Sequence, residues 1–172
     1  MSKVIKMRLS VKSIDDAIAK IDKYKQELRH KTSIFVQRLA EEGLVVVNDK
    51  RTSFYGDADG NDVRTYVVVS DFGNKVTATL VMAGKDVAFI EFGAGIHYNT
   101  AAGTSPHPKG QELGMTIGSY GKGKGANDSW VYYDEERARF RTSHGTQAVM
   151  PLYSASESIK KKFYSIAKEV FK

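Results

Sequence analysis

Seven residues, Gly118-Ser-Tyr-Gly-Lys-Gly-Lys124, meet the glycine and lysine positions of a phosphate-binding loop. In such a loop, backbone N–H groups and a lysine cradle the phosphates of a nucleotide. Position 125, where a magnesium-binding Ser or Thr is required, is Gly125, and no buried strand precedes the segment nor does a clear helix follow it. The pattern therefore favours a flexible basic loop whose N–H groups, with Lys122 and Lys124, meet acidic or phosphate groups on a partner.

Glu91 is the second place where chemistry is conceivable. It stands in the apolar run Val87-Ala-Phe-Ile-Glu-Phe92, where a buried acid facing a second carboxylate or a base would be tuned for proton transfer. The competing and favoured reading is a structural carboxylate that accepts bonds from the glycine-rich turn beside it. His30, His97, His107 and His144 are scattered with no pair at metal spacing, and neither HExxH nor GxSxG occurs. A hydrolytic pair would need His97 and His144 to meet in space beside Glu91; hydrogen-bonding histidines on the surface or in loops are the more ordinary outcome. Asp57-Ala-Asp-Gly-Asn-Asp62 resembles the start of a calcium loop but has no bidentate glutamate at its twelfth position, so it reads as a turn. The glycosylation sequon Asn127-Asp-Ser129 is too short a pattern to carry meaning.

The chain has no cysteine, which removes disulfides, thiol catalysis and cysteine-held metals. Its net charge of +6 is spread through alternating acids and bases, and the densest cationic cluster is Lys160-Lys161-Lys162, better read as a solvated helix face than as a nucleic-acid groove. The amino terminus is basic, but its apolar residues are interrupted by charge, so no signal-peptide core is read, and no stretch nears the length of a membrane span. The chain thus reads as soluble, made and used inside a cell, with no cofactor and no membrane partner.

The elements that must position these residues follow from periodicity. Ile14, Ala17, Ile18, Ile21, Tyr24, Leu28, Phe35 and Leu39 recur at helical spacing from Ser13 to about Glu42, with Ser13 as cap. Gly43 and the three valines behind Leu44 leave open whether that helix continues or breaks. The segments 64–70, 75–82 and 87–92 are rich in β-branched and aromatic residues, with turn formers at 71–74 and 83–86, and predict a three-stranded antiparallel meander. In the second, Val76, Ala78, Leu80 and Met82 alternate with more polar residues, so its apolar side calls for a helix. Residues 93–128 are glycine-rich without a period and read as one long loop. Trp130-Val-Tyr-Tyr133 reads as a fourth strand and Asp134 to Arg141 as a loop. Met150, Leu152, Ala155, Ile159, Phe163, Ile166, Ala167 and Val170 restore the helical period, with Pro151 in the first turn. The expected fold is a single α+β domain over residues 1–172, an antiparallel sheet of about four strands packed against two helices.

Taken in order, Phe89-Ile-Glu-Phe-Gly-Ala-Gly-Ile96, Pro106-His-Pro-Lys-Gly110, Ile117 to Gly125, Trp130-Val-Tyr-Tyr133 and Thr142 to Ala148 before Met150-Pro151 and the last helix resemble the neck or tail-completion family of long-tailed bacteriophages, the group to which the lambda minor tail protein Z is similar. The resemblance covers about 89–171; the amino-terminal helix matches only in kind. It implies a small α+β virion protein without catalytic residues, held in the host cytoplasm before assembly, that joins a finished tail to a DNA-filled head. Its implied partners are other copies of itself in a ring, a head-completion or connector protein, and a tail terminator or tail tube. Tyr98, Lys109, Tyr120, Lys122, Lys124, Trp130 and His144 become candidate interface positions, and Glu91, Gly93, Gly95, Gly145 and Pro151 candidate structural ones. Ring subunits need head-to-tail contacts that close, and a loop that orders only on assembly, here Gly114 to Gly125, would hold the monomer back. A tail terminator or another minor tail protein is the nearest alternative. A nucleic-acid-binding accessory protein using Lys122, Lys124 and Lys160 to Lys162 is a further one, although a DNA duct calls for no more than weak, salt-sensitive binding.

Overall fold

A computed structural model describes residues 5–6, 8–55, 63–95, 105–115, 129–135 and 137–172. The fold is α+β: a helix α1 (Val11–Tyr55), a hairpin of β1 (Arg64–Asp71) and β2 (Val76–Ala83), a short helix α2 (Val87–Phe92), a second hairpin of β3 (Trp130–Asp134) and β4 (Arg139–Ser143), and a last helix α3 (Pro151–Val170). Among the described residues no helix is long and apolar enough to cross a membrane.

α1 runs unbroken through Gly43 and the valines after it. Glycine costs about 1 kcal/mol of helix propensity, and the packing here explains its presence. A Cβ at position 43 would lie 2.8 Å from Ile159 Cδ1 and 3.1 Å from Leu80 Cδ2, so the missing side chain is what lets α3 and β2 close on α1. α3 lies antiparallel along the second half of α1. Phe35 meets Phe163 and Phe171 edge-on at 5.2 and 5.6 Å, Arg38 pairs with Glu169 at 3.2 Å, and Lys162 pairs with Glu42 at 2.6 Å.

β1 and β2 pair antiparallel from Arg64↔Ala83 to Asp71↔Val76. Gly73, at φ 85°, takes the left-handed conformation of the turn, with its N–H on Asp71 Oδ1 at 2.9 Å. Leu80 and Met82 turn inward, so the core forms where α1, β1–β2, α2 and the start of α3 converge, around Val47, Met82, Ile90 and Ala155, with Val63 closing one side. Burial of this set drives the fold.

Two expectations need correction. Val87–Phe92 is a helix, not the third strand of a meander. A strand would send Ile90 and Glu91 to opposite faces, whereas both are buried; in one helical turn Ile90 enters the core while its neighbour Glu91 reaches α3. Trp130–Asp134 does not join the first sheet either. It pairs with Arg139–Ser143, which sequence reasoning left as loop, so the four strands form two two-stranded sheets. Arg139-Phe-Arg-Thr-Ser143 hides its strand character because both of its faces are largely exposed, which removes the apolar–polar alternation that marks a half-buried strand.

Candidate functional site

Glu91 is the centre of a buried knot. Its carboxylate accepts the backbone N–H of Leu152 at 2.9 Å and of Tyr153 at 2.8 Å, two of the four amides that the start of a helix leaves unpaired. Met150, at the N-cap, lies in the left-handed region (φ 54°) and gives no side-chain cap, and Pro151 occupies the first turn, where its missing N–H costs nothing. A carboxylate from some sixty positions upstream thus does the work of a local Ser or Asp cap, and the helix dipole favours its charge. The backbone seals the same junction, with Val149 and Met150 N–H both on Ile90 O, at 2.9 and 3.4 Å.

His107 completes the knot, with Nε2 at 3.1 Å from Glu91 Oε1. Lys109 N–H points at Nδ1 from 3.0 Å, so Nδ1 accepts and Nε2 carries the proton that Glu91 receives. The ring is clasped by Phe92 at 4.5 Å and Tyr153 at 5.2 Å. Ser105 ties the segment down by donating to Phe92 O at 2.6 Å and accepting His107 N–H at 3.2 Å. Sequence reasoning counted His107 among the scattered histidines and sought the donors to Glu91 in the glycine turn. The donors are the start of α3 and an imidazole held between two prolines, and the one legible sign was the rigid Pro106-His-Pro108 segment itself.

The glycines of the next turn make a second junction. Gly93 and Gly95 have φ of 77° and 76° and Gly145 of 101°. Ala94 and Thr146 exchange N–H···O bonds of 2.8 and 2.9 Å. A Cβ on Gly145 would overlap the Ala94 carbonyl oxygen, and one on Gly95 would lie 2.8 Å from Trp130 Cζ3. Glycine is required here by close approach as well as by φ. Gly93, Gly95, Gly145 and Trp130 therefore come together, while Glu91 and Pro151 meet in the knot beside them.

Between α2 and α3 lies an open cleft of about 570 Å³, walled by Val87, Phe92, Leu113 and Leu152, with Lys109 and Lys160 at its edge. Lys109 is exposed and pairs with Glu112 at 3.6 Å; His144 is exposed. In the cationic cluster, Lys160 pairs with Glu157 at 2.7 Å, which raises the lysine and lowers the acid from their ordinary values, and Lys162 is held by Glu42. Two of its three charges are thus offset within the chain. Tyr98, Tyr120, Lys122 and Lys124, together with His97, the loop from 116 to 125 and the Asp57–Asp62 turn, lie outside the described residues.

The hairpin β3–β4 hangs from the glycine junction. Val131, Tyr133, Phe140 and Thr142 share one face, and the Tyr133 and Phe140 rings meet at 5.2 Å. Val131 is 65% exposed and Phe140 74%. On the other face Tyr132 and Trp130 lie among Arg139 and Arg141, with Arg141 and Arg137 both on Asp134. No protein-family model matches the chain, no curated protein matches it in sequence, and no solved structure matches its fold.

Proposed function

We propose that this chain is a structural subunit of the head–tail interface of a long-tailed bacteriophage, working in the virion as one member of a homo-oligomeric ring. It joins the tail to the DNA-filled head, touching a connector or head-completion protein on one side and a tail terminator or tail tube on the other. The ordered motifs from Phe89 to the last helix suggest the family. The observation that carries the reading is the β3–β4 hairpin, among the described residues a two-stranded sheet of its own, with apolar and aromatic side chains exposed on both faces. Two strands alone are marginally stable in water, and exposed tyrosine, tryptophan and phenylalanine are what protein interfaces use as anchors. The Glu91 knot and the glycine junction serve this reading by holding the hairpin's root against α3.

The pairing of Lys160 with Glu157 and of Lys162 with Glu42 weighs against a nucleic-acid groove on α3 and leaves the protein with weak, salt-sensitive DNA binding. The test replaces Tyr133 and Phe140 together by Ser and mixes the purified variant with separately purified heads and tails. Joined particles should fall to background while the circular dichroism spectrum of the variant stays that of the parent. Unchanged joining by a folded double variant would overturn the reading.

A further inference from the structure

The molecule exposes an apolar strand face and an apolar hollow, and they lie at different places on it. On the β3–β4 hairpin, Val131, Tyr133, Phe140 and Thr142 share one face, and no charged residue stands on it. Val131, Tyr133 and Phe140 are all exposed. The Tyr133↔Phe140 pair, whose rings touch, is one step from the Asp134↔Arg139 pair that closes the ladder, so the aromatic rings sit near the tip. Glu135, also exposed, begins the turn beyond it.

The cleft between α2 and α3 is the converse. Its walls are Val87, Phe92, Leu113 and Leu152, and no hairpin residue lines it. Its volume of about 570 Å³ falls among those of sites that swallow apolar groups. Among the described residues its charged lining is Lys85, Lys109 and Lys160 against the single acid Glu91. Glu91 is spent on the Leu152 and Tyr153 amides and on His107. Lys109 and Lys160 are exposed and held only by surface pairs with Glu112 and Glu157, which solvent screens. The hollow is therefore apolar within and cationic at its edge.

We propose that the cleft takes the hairpin of a second copy of this chain, tip first, with Tyr133 and Phe140 against Phe92, Leu113 and Leu152 and with Glu135 beside the lysines. Charge selects the face that enters. The opposite face carries Arg139 and Arg141, which would meet three lysines if it were the one buried; with the apolar face inward, both arginines point away from them. The contact joins two different patches and is heterologous, so each copy offers one hairpin and one cleft, and the contact propagates head to tail as a ring demands. The proposal rests on the hairpin being an interface element, as argued above, and names what that element binds.

Sedimentation equilibrium of the full chain over a concentration series tests it. The parent should form species larger than a dimer. A hairpin variant, Tyr133→Ser/Phe140→Ser, and a cleft variant, Leu113→Asp, should each associate at least about thirtyfold more weakly; Leu113 is exposed, so the substitution leaves the circular dichroism spectrum unchanged. Glu135→Lys should weaken association about fivefold, less at high salt. An equimolar mixture of the hairpin and cleft variants should form one-to-one dimers and nothing larger, because only one intact hairpin and one intact cleft remain to meet. A parent that stays monomeric, a Leu113→Asp variant that associates like the parent, or a mixture that behaves as its separate components overturns the proposal. A hairpin variant that keeps the parent's mass yet no longer joins heads to tails overturns this pairing and leaves the proposed function standing; one that loses association and still joins them does the reverse.

Discussion

The two halves of α1 carry the same apolar period and end in opposite circumstances. Around Val47, which is wholly buried, the helix is wrapped by α2, β2 and α3, whereas Ile21 is half exposed. Period tells that a helix face wants cover, and only the partners brought by the rest of the chain decide whether it gets it. The same contrast separates the two hairpins: β1–β2 lays Leu80 and Met82 into the core, while β3–β4 keeps Phe140 outside.

Substitutions at buried positions should be costly and those at exposed ones nearly silent for stability. The largest effect is expected at Glu91→Ala, which strands two helix amides and the His107 Nε2–H in a buried place. A loss of about 3–5 kcal/mol in urea denaturation is anticipated, and a loss below about 1 kcal/mol would show the knot to be incidental. Gly145→Ala comes next at about 3 kcal/mol, because its Cβ meets a backbone oxygen that cannot swing aside and its φ is unfavourable for alanine. If it proves neutral, the Ala94–Thr146 junction does not hold in solution. On the helix itself, Val47→Ala should cost about 2 kcal/mol and Ile21→Ala under about 0.5 kcal/mol when measured on dilute protein. Equal costs would break the comparison outright.

The smallest effect belongs to the Arg29–Asp71 pair at the border between the halves. The Arg29 hydrogen bond, and then the Gly73 N–H, hold Asp71 below its ordinary 3.8. Its contribution is therefore present above that value and is lost as pH falls through the lower, folded one. Asp71→Asn should be slightly less stable than the parent at neutral pH, and the gap should close in strong acid. Persistence of the gap there would assign it to the turn hydrogen bond alone.

Much of the architecture was legible. α1 and α3 follow from apolar spacing, and β1 and β2 from β-branched runs bounded by Asp71-Phe-Gly-Asn74. Two elements were misread for one shared reason, that local pattern is silent about distant partners. Val87–Phe92 is apolar enough for either state at its length, and it is helical because Ile90 and Glu91 must both be buried. Arg139–Ser143 shows no buried–exposed alternation because both of its faces are largely exposed. At the site, Glu91 was visible as an acid out of place, but its donors were not, since Leu152 and Tyr153 offer only main-chain N–H groups, which no residue type announces.

The sequence by itself determined the α+β composition, the two amphipathic helices and the first hairpin, because these follow from steric and hydrophobic rules acting over a few residues. The tertiary structure alone decided that Glu91 caps a helix some sixty residues away with His107 as its third donor, that Gly43 is a point of close packing, and that α1 is wholly buried at Val47 yet half exposed at Ile21. Those outcomes depend on which distant groups arrive beside them, and a hydrogen bond or a buried face has no energy until its partner is there.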